Sequence, residues 1–209
     1  MKKRVFFIFV AALVCVCAFV AVLRHNQSVL SESVVAQLRD RYPVVKNLSP
    51  EGVYSAFVTL DMVKDVDGGS FVYGMMVSDE EYSSTVVSTG YPELDEKREN
   101  EGIDNTVHFF LNTFEVIDDS ESMYEKGTTL TLSSNVIFKG HLPIFEKGQK
   151  YVIPVKESSI EEGIYNYTCV GIFYVTEDGY VLAAYDEEGR SEKKYTGMKV
   201  EQLLRELKK

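Results

Sequence analysis

Few groups in this chain could do covalent chemistry: one thiol beyond the apolar N-terminus, Cys169, imidazoles at His108 and His141, and a guanidinium at Arg190. Together they would make a cysteine nucleophile, since a reactive thiolate needs an imidazole beside it and a cation to hold the oxyanion its attack creates. His141 and Cys169 stand 28 positions apart, and Arg190 lies beyond the turn at Glu177-Asp178-Gly179. Against that chemistry, Cys169 sits among Tyr167, Val170, Ile172 and Phe173, where a thiol behaves as a small apolar strand residue.

Metal and phosphate chemistry find less. Asp65-Val66-Asp67-Gly68 opens like a calcium loop, but later acidic ligands and a closing Glu at the twelfth position are missing, so it reads as a turn. His108 and His141 stand alone, without neighbours at ligand spacing. The chain has no Gly-rich phosphate loop and no Ser nucleophile motif, and the sequence predicts no metal and no cofactor. The expectation is therefore binding, assigned to the aromatic side chains Tyr165, Tyr167 and Tyr174 as an exposed set, together with the polar stretch 78–105.

Positioning these groups falls to a mainly β domain. A short helix is predicted over 31–42, ended by Pro43. Strict alternation over Val53 to Val63 predicts a half-buried strand, with Phe71 to Val77 returning from it as a hairpin. Residues 78–105 read as a long loop with one helical turn near Leu94 to Asn100. Thr106 to Ile117 is a long strand whose apolar parity switches from odd to even around Asn112, predicting a bulge or corner there. Short strands follow at Thr128 to Leu132, Val136 to Phe138 and Tyr151 to Val155, the last demoted to an edge or strand end by Pro154. Tyr165 to Thr176 and Tyr180 to Tyr185 flank an Asp-Gly turn as a hairpin. Met198 to Lys208 places Val200, Leu203, Leu204 and Leu207 at i, i+3, i+4 and i+7, an amphipathic helix that should dock on the sheet.

The N-terminus sets the location. Nineteen apolar residues, Val5 to Leu23, follow Met1-Lys2-Lys3-Arg4 and precede Arg24. As a helix they would cover about 28 Å, a single bilayer crossing, and the Lys/Arg bias keeps residues 1–4 in the cytoplasm. Residues 24–50 would then be a leash with the short helix, and 51–209 an extracytoplasmic domain. The alternative is a cleaved signal peptide ending at Val16-Cys17-Ala18. Beyond residue 25 the chain holds 18 basic against 32 acidic side chains, which disfavours nucleic acid and leaves an envelope component or another protein as the expected partner.

About seven closely spaced strands between two helices argue for a small, mainly antiparallel barrel. The runs Thr113-Phe114-Glu115-Val116, Gly127-Thr128-Thr129-Leu130-Thr131-Leu132, Leu142 to Ile153 and Gly171-Ile172-Phe173-Tyr174-Val175 with Asp178-Gly179-Tyr180-Val181 resemble membrane-anchored, exported OB-like barrel domains of Gram-positive bacteria, netrin-type in outline. That resemblance implies a binding or structural module and carries no catalytic residue. A second resemblance, to sortases, rests on the anchor, the barrel and the pairs Gly140-His141 and Thr168-Cys169. It implies a cysteine transpeptidase with Cys169, His141 and Arg190 in the catalytic roles. The interval from His141 to Cys169 is shorter than that family keeps, and His108, at a better interval, lacks the family's motif.

Overall fold

The computed structural model describes residues 29–45, 59–86, 90–159, 161–186 and 191–208. Its centre is the apolar run Tyr151-Val152-Ile153-Pro154-Val155 on strand β5 (Lys150–Glu157), where every residue is buried. A strand covered on both faces needs apolar side chains at both parities, which is why this run does not alternate. Tyr151, Ile153 and Val155 point into one core, and Val152 into a second.

The first core fills a closed five-stranded barrel. Strand β1 (Gly69–Met76) pairs antiparallel with β3 (Thr106–Asp119), and β3 pairs in turn with β4 (Thr129–Asn135). Strand β4 runs parallel to β6 (Ile164–Tyr167), β6 is antiparallel to β5, and β5 closes the ring onto β1. The second core lies outside this ring. There the hairpin β7 (Phe173–Val175) and β8 (Val181–Ala183) extends β5, and helix α4 (Val200–Leu207) lays Val200, Leu203, Leu204 and Leu207 against it. The hairpin turns at Gly179, whose φ of +76° favours glycine.

The N-terminal segment straps this second layer. Helix α1 (Glu32–Leu38) is shorter than the predicted 31–42, and the residues around it bind the C-terminal part of the chain. Leu30 N–H donates to the Gly197 carbonyl, Val29 bridges Met198, and Val45 N–H donates to Ala184. The Arg39 guanidinium donates to the carbonyls of Tyr42 and Ala183 and pairs with Asp186.

Several expectations are corrected. Within the predicted strand Val53 to Val63, residues 53–58 lie outside the described set. The remainder is helix α2 (Leu60–Lys64), in which Leu60 and Val63 are buried while Met62 is 56% exposed. The i, i+3 pair wins over alternation because the Thr59 side chain caps the helix, accepting from Met62 N–H at 3.3 Å. Strand β1 consequently finds its partners in β3 and β5.

The stretch 78–105 contains strand β2 (Glu81–Val86), paired with β3, and helix α3 (Pro92–Asn100), which opens on a Pro at its first position. Burial along β3 stays on even residues from Phe110 to Val116, without a switch at Asn112. The bulge comes later, where Tyr73 faces Asp118, Gly74 faces Val116, and Ile117 is left over. Gly74 is required there, since a Cβ would fall 2.3 Å from the Glu115 carbonyl oxygen.

Val136–Phe138 is a 3-10 turn, not a strand. Pro154 sits mid-strand with neighbours on both edges. β7 covers 150–152 and β6 covers 155–157, so positions 153 and 154 face the seam between them, where no N–H is needed. The expected long strand Tyr165 to Thr176 divides into β6 and β7 around Gly171, at φ +88°. Segment Val5 to Leu23 lies outside the described residues, and among the described residues no helix is long and apolar enough to cross a membrane.

Candidate functional site

Of the tyrosines expected as an exposed aromatic set, Tyr174 is buried and Tyr165 and Tyr167 are half-buried. Tyr174 is only 4% exposed, with its ring 5.8 Å from that of Tyr42 and 5.7 Å from that of Tyr151; burial pushes its hydroxyl pKa up to about 12. Tyr167 is half-buried, edge-on to Phe145 at 5.6 Å, and burial raises its pKa despite a hydrogen bond with the Ser134 side chain. Tyr165 is half-buried against Tyr124 at 5.7 Å, and its pKa too is raised by burial. These rings close the barrel wall because the inward positions of β5 and β6 and the hairpin layer converge there. Aromatic residue type alone could not separate that role from a binding face.

Cys169 is a half-buried thiol in the β6–β7 connection, packed against both cores. His141 follows the 3-10 turn, and its backbone carbonyl accepts from the Tyr185 hydroxyl at 2.5 Å. Arg190 lies outside the described residues. His108 is on β3, where its ring stacks with Tyr82 and its Nδ1 meets the Tyr82 hydroxyl at 2.5 Å. Asp65 is the C-terminal cap of α2 and Gly68 has φ +69°, the geometry of a turn. Among the described residues no three His, Cys, Asp or Glu side chains group as metal ligands.

A different surface has the form of a binding site. On β3 the odd residues Val107, Phe109 and Leu111 face outward, half-buried, because the even ones fill the barrel. On β4 the outward positions are Thr129, Thr131, Ser133 and Asn135. Between them and their neighbours lies a groove of about 180 Å³. Val107, Phe109 and Ile164 give it an apolar floor; Thr85, Ser133, Asn135, Ser158 and Asn166 line it with hydroxyls and amides. Among the described residues that line it, Glu161 alone is charged. Such a lining can stack and hydrogen-bond a neutral polar chain and offers no cation to a polyanion.

Two larger hollows, about 310 and 340 Å³, share Gly140, Leu142, Pro143 and Ile144. They are the two sides of one loop crossing the barrel end, where Phe145 plugs the interior edge-on to Tyr151 at 5.0 Å. Cys169 lines neither hollow nor the groove.

Sequence reasoning missed the groove, although one signal pointed to it. Thr129, Thr131, Ser133 and Asn135 recur at period two opposite an apolar set that the even residues of β3 make redundant for the core. The chain matches no known family model, no curated protein and no solved structure.

Proposed function

We propose that this chain is a single-pass, membrane-anchored extracytoplasmic binding module of the OB type, whose ligand lies in the groove on β3 and β4. The barrel order β1-β3-β4-β6-β5-β1, with its one parallel pair between the third and fifth barrel strands in sequence, supports the OB assignment. In that fold ligands are held on the face of the second and third barrel strands, between the loops that follow the first and fourth. Here those strands are β3 and β4, and the flanking segments supply Thr85 on one side and Ser158 and Glu161 on the other. The coincidence of that position with the groove is the observation that carries the reading. Net negative charge and the absence of Lys or Arg among the described lining residues favour an uncharged envelope polymer or peptide over nucleic acid.

The test is retention of purified full-length protein on isolated cell-envelope material, compared with Phe109→Ala and Asn166→Ala. Both positions face outward, so the variants should keep the wild-type melting profile while retention falls several-fold. Undiminished retention by both folded variants refutes the groove, and protection of a C-terminal epitope from protease on intact cells refutes the topology.

A further inference from the structure

Among the described residues, one edge of strand β2 has no partner strand. Val116 N–H donates to the Thr128 carbonyl and Gly127 N–H to that of Val116, so even residues of β3 point their backbone groups toward β4. The odd ones therefore bond β2 through Glu81, Ser83 and Thr85. Tyr82, Ser84 and Val86 accordingly aim their N–H and C=O groups away from β3, toward an edge that no strand covers among the described residues.

Apart from Glu81 at its start and its short length, this edge has few of the usual protections. It carries no Pro, no Lys and no bulge, and from Tyr82 to Pro92 not one side chain is charged in a chain of net charge −10. Tyr82 is 59% exposed and Val86 74%, and Tyr91, Leu94 and Ile103 of the same extension are exposed as well. The open edge β8 would otherwise present is bonded instead to the segment before α4, through Val181 N–H to Met198 and Gly197 N–H to Val181.

We propose that β2 is a dimerisation edge, pairing antiparallel with β2 of a second copy of this chain about a two-fold axis at Ser84. In that register Ser84 faces Ser84 of the second copy and Tyr82 faces its Val86, an aromatic opposite a β-branched side chain. Ser83 faces Thr85, and the open groups of Tyr82, Ser84 and Val86 form about six backbone hydrogen bonds. Charge selects this arrangement. Two acidic chains repel, and parallel pairing would set Glu81 beside Glu81; antiparallel pairing sends the two Glu81 carboxylates to opposite ends of the ribbon, leaving only neutral side chains face to face. A partner with an unrelated peptide strand would need none of this self-complementarity. The strand pair alone is smaller than the roughly 1,000 Å² a lasting interface buries, so dimerisation is expected to depend on concentration.

The test uses the full-length chain in detergent, with Cys15, Cys17 and Cys169 replaced by Ala. Ser84→Cys should form a disulfide dimer at least about tenfold faster than Glu201→Cys on α4, because the paired Cα atoms would stand about 5.5 Å apart, inside the disulfide range. Tyr82→Cys should cross-link to Val86→Cys in a mixture faster than either cross-links to itself. In sedimentation, Ser84→Lys and Ser84→Glu chains should each lose the dimer, and their mixture should regain it. Self-linking of Tyr82→Cys in preference to the mixed pair, a wild-type chain that stays monomeric at concentrations where the control begins to cross-link, or failure of the Lys/Glu mixture to restore the dimer would each overturn the proposal.

Discussion

Replacing Asp119 by Ala should be among the most damaging single changes on the barrel. Its carboxylate is 6% exposed and collects four donors at the β3–β4 turn: the Ser70 hydroxyl at 3.0 Å and the N–H groups of Glu121 at 2.9 Å, Met123 at 3.0 Å and Tyr124 at 3.1 Å. Around it Ser122 holds a positive φ of 56°, so the turn is shaped by the carboxylate as well as satisfied by it. After truncation, Met123 N–H is exposed and can turn to water, and Ser70 Oγ keeps Ser120 Oγ at 3.4 Å. The N–H groups of Glu121 and Tyr124 are only half-buried, so each is taken in the lower part of the roughly 1–3 kcal/mol that an orphaned group costs, about 1–2 kcal/mol, giving a loss of about 2–4 kcal/mol for the two. Asp119→Asn keeps one acceptor oxygen and should cost about half as much. Denaturant midpoints at constant m value measure both, and amide exchange should quicken first at Glu121 and Tyr124. A loss below about 1 kcal/mol for Ala, or exchange unchanged at those two amides, would refute the claim that this carboxylate organises the turn.

Gly179→Val should lower stability by about 1–3 kcal/mol, read as a shift in denaturant midpoint; space at that position is open, so the whole cost is the positive φ. Cys169 should react slowly with iodoacetamide in the native protein and rapidly once unfolded, whereas a catalytic thiolate would label fastest in the folded state. At alkaline pH the buried tyrosines should destabilise the fold. Tyr124 and Tyr174, raised to about 12, stay protonated in the folded state while the unfolded chain ionises near 10. Their contribution is thus fully present below pH 10 and is lost between about 10 and 12, at up to about 1.4 kcal/mol per pH unit for each. Absorbance at 295 nm should show one tyrosine fraction titrating near 10 and a second appearing only together with loss of the near-ultraviolet dichroism.

Elements whose residues answer to one constraint were legible in the sequence. The β7–β8 turn follows from Asp178-Gly179, and α4 from an apolar stripe with one surface to cover. Where two constraints compete, the sequence misled. Leu60, Met62 and Val63 satisfy both periods, and the Thr59 cap decided between them. Polar β2 looked like loop because its partner, β3, supplies the apolar surface. The groove was hidden for a related reason: Val107, Phe109 and Leu111 read as core, and only the register of β3 against β4 turns them outward. The exposure expected of Tyr174 failed in the opposite sense, since burial of a tyrosine depends on neighbours far along the chain.

The strap joining Leu30 to Gly197 and Val29 to Met198 also governs the order in which the molecule can be completed. Val29 and Leu30 are made well before Gly197 and Met198, so the segment before α1 has no docking place until that turn has been made. The barrel strands, whose partners are closer in sequence, can close before then. A chain truncated before Gly197 would therefore present a ring with an undocked N-terminal segment and the apolar outer face of β7 and β8 uncovered. That face is the surface a chaperone would need to shield during synthesis, and its burial by α4 fixes the segment before α1 and the segment before α4 together.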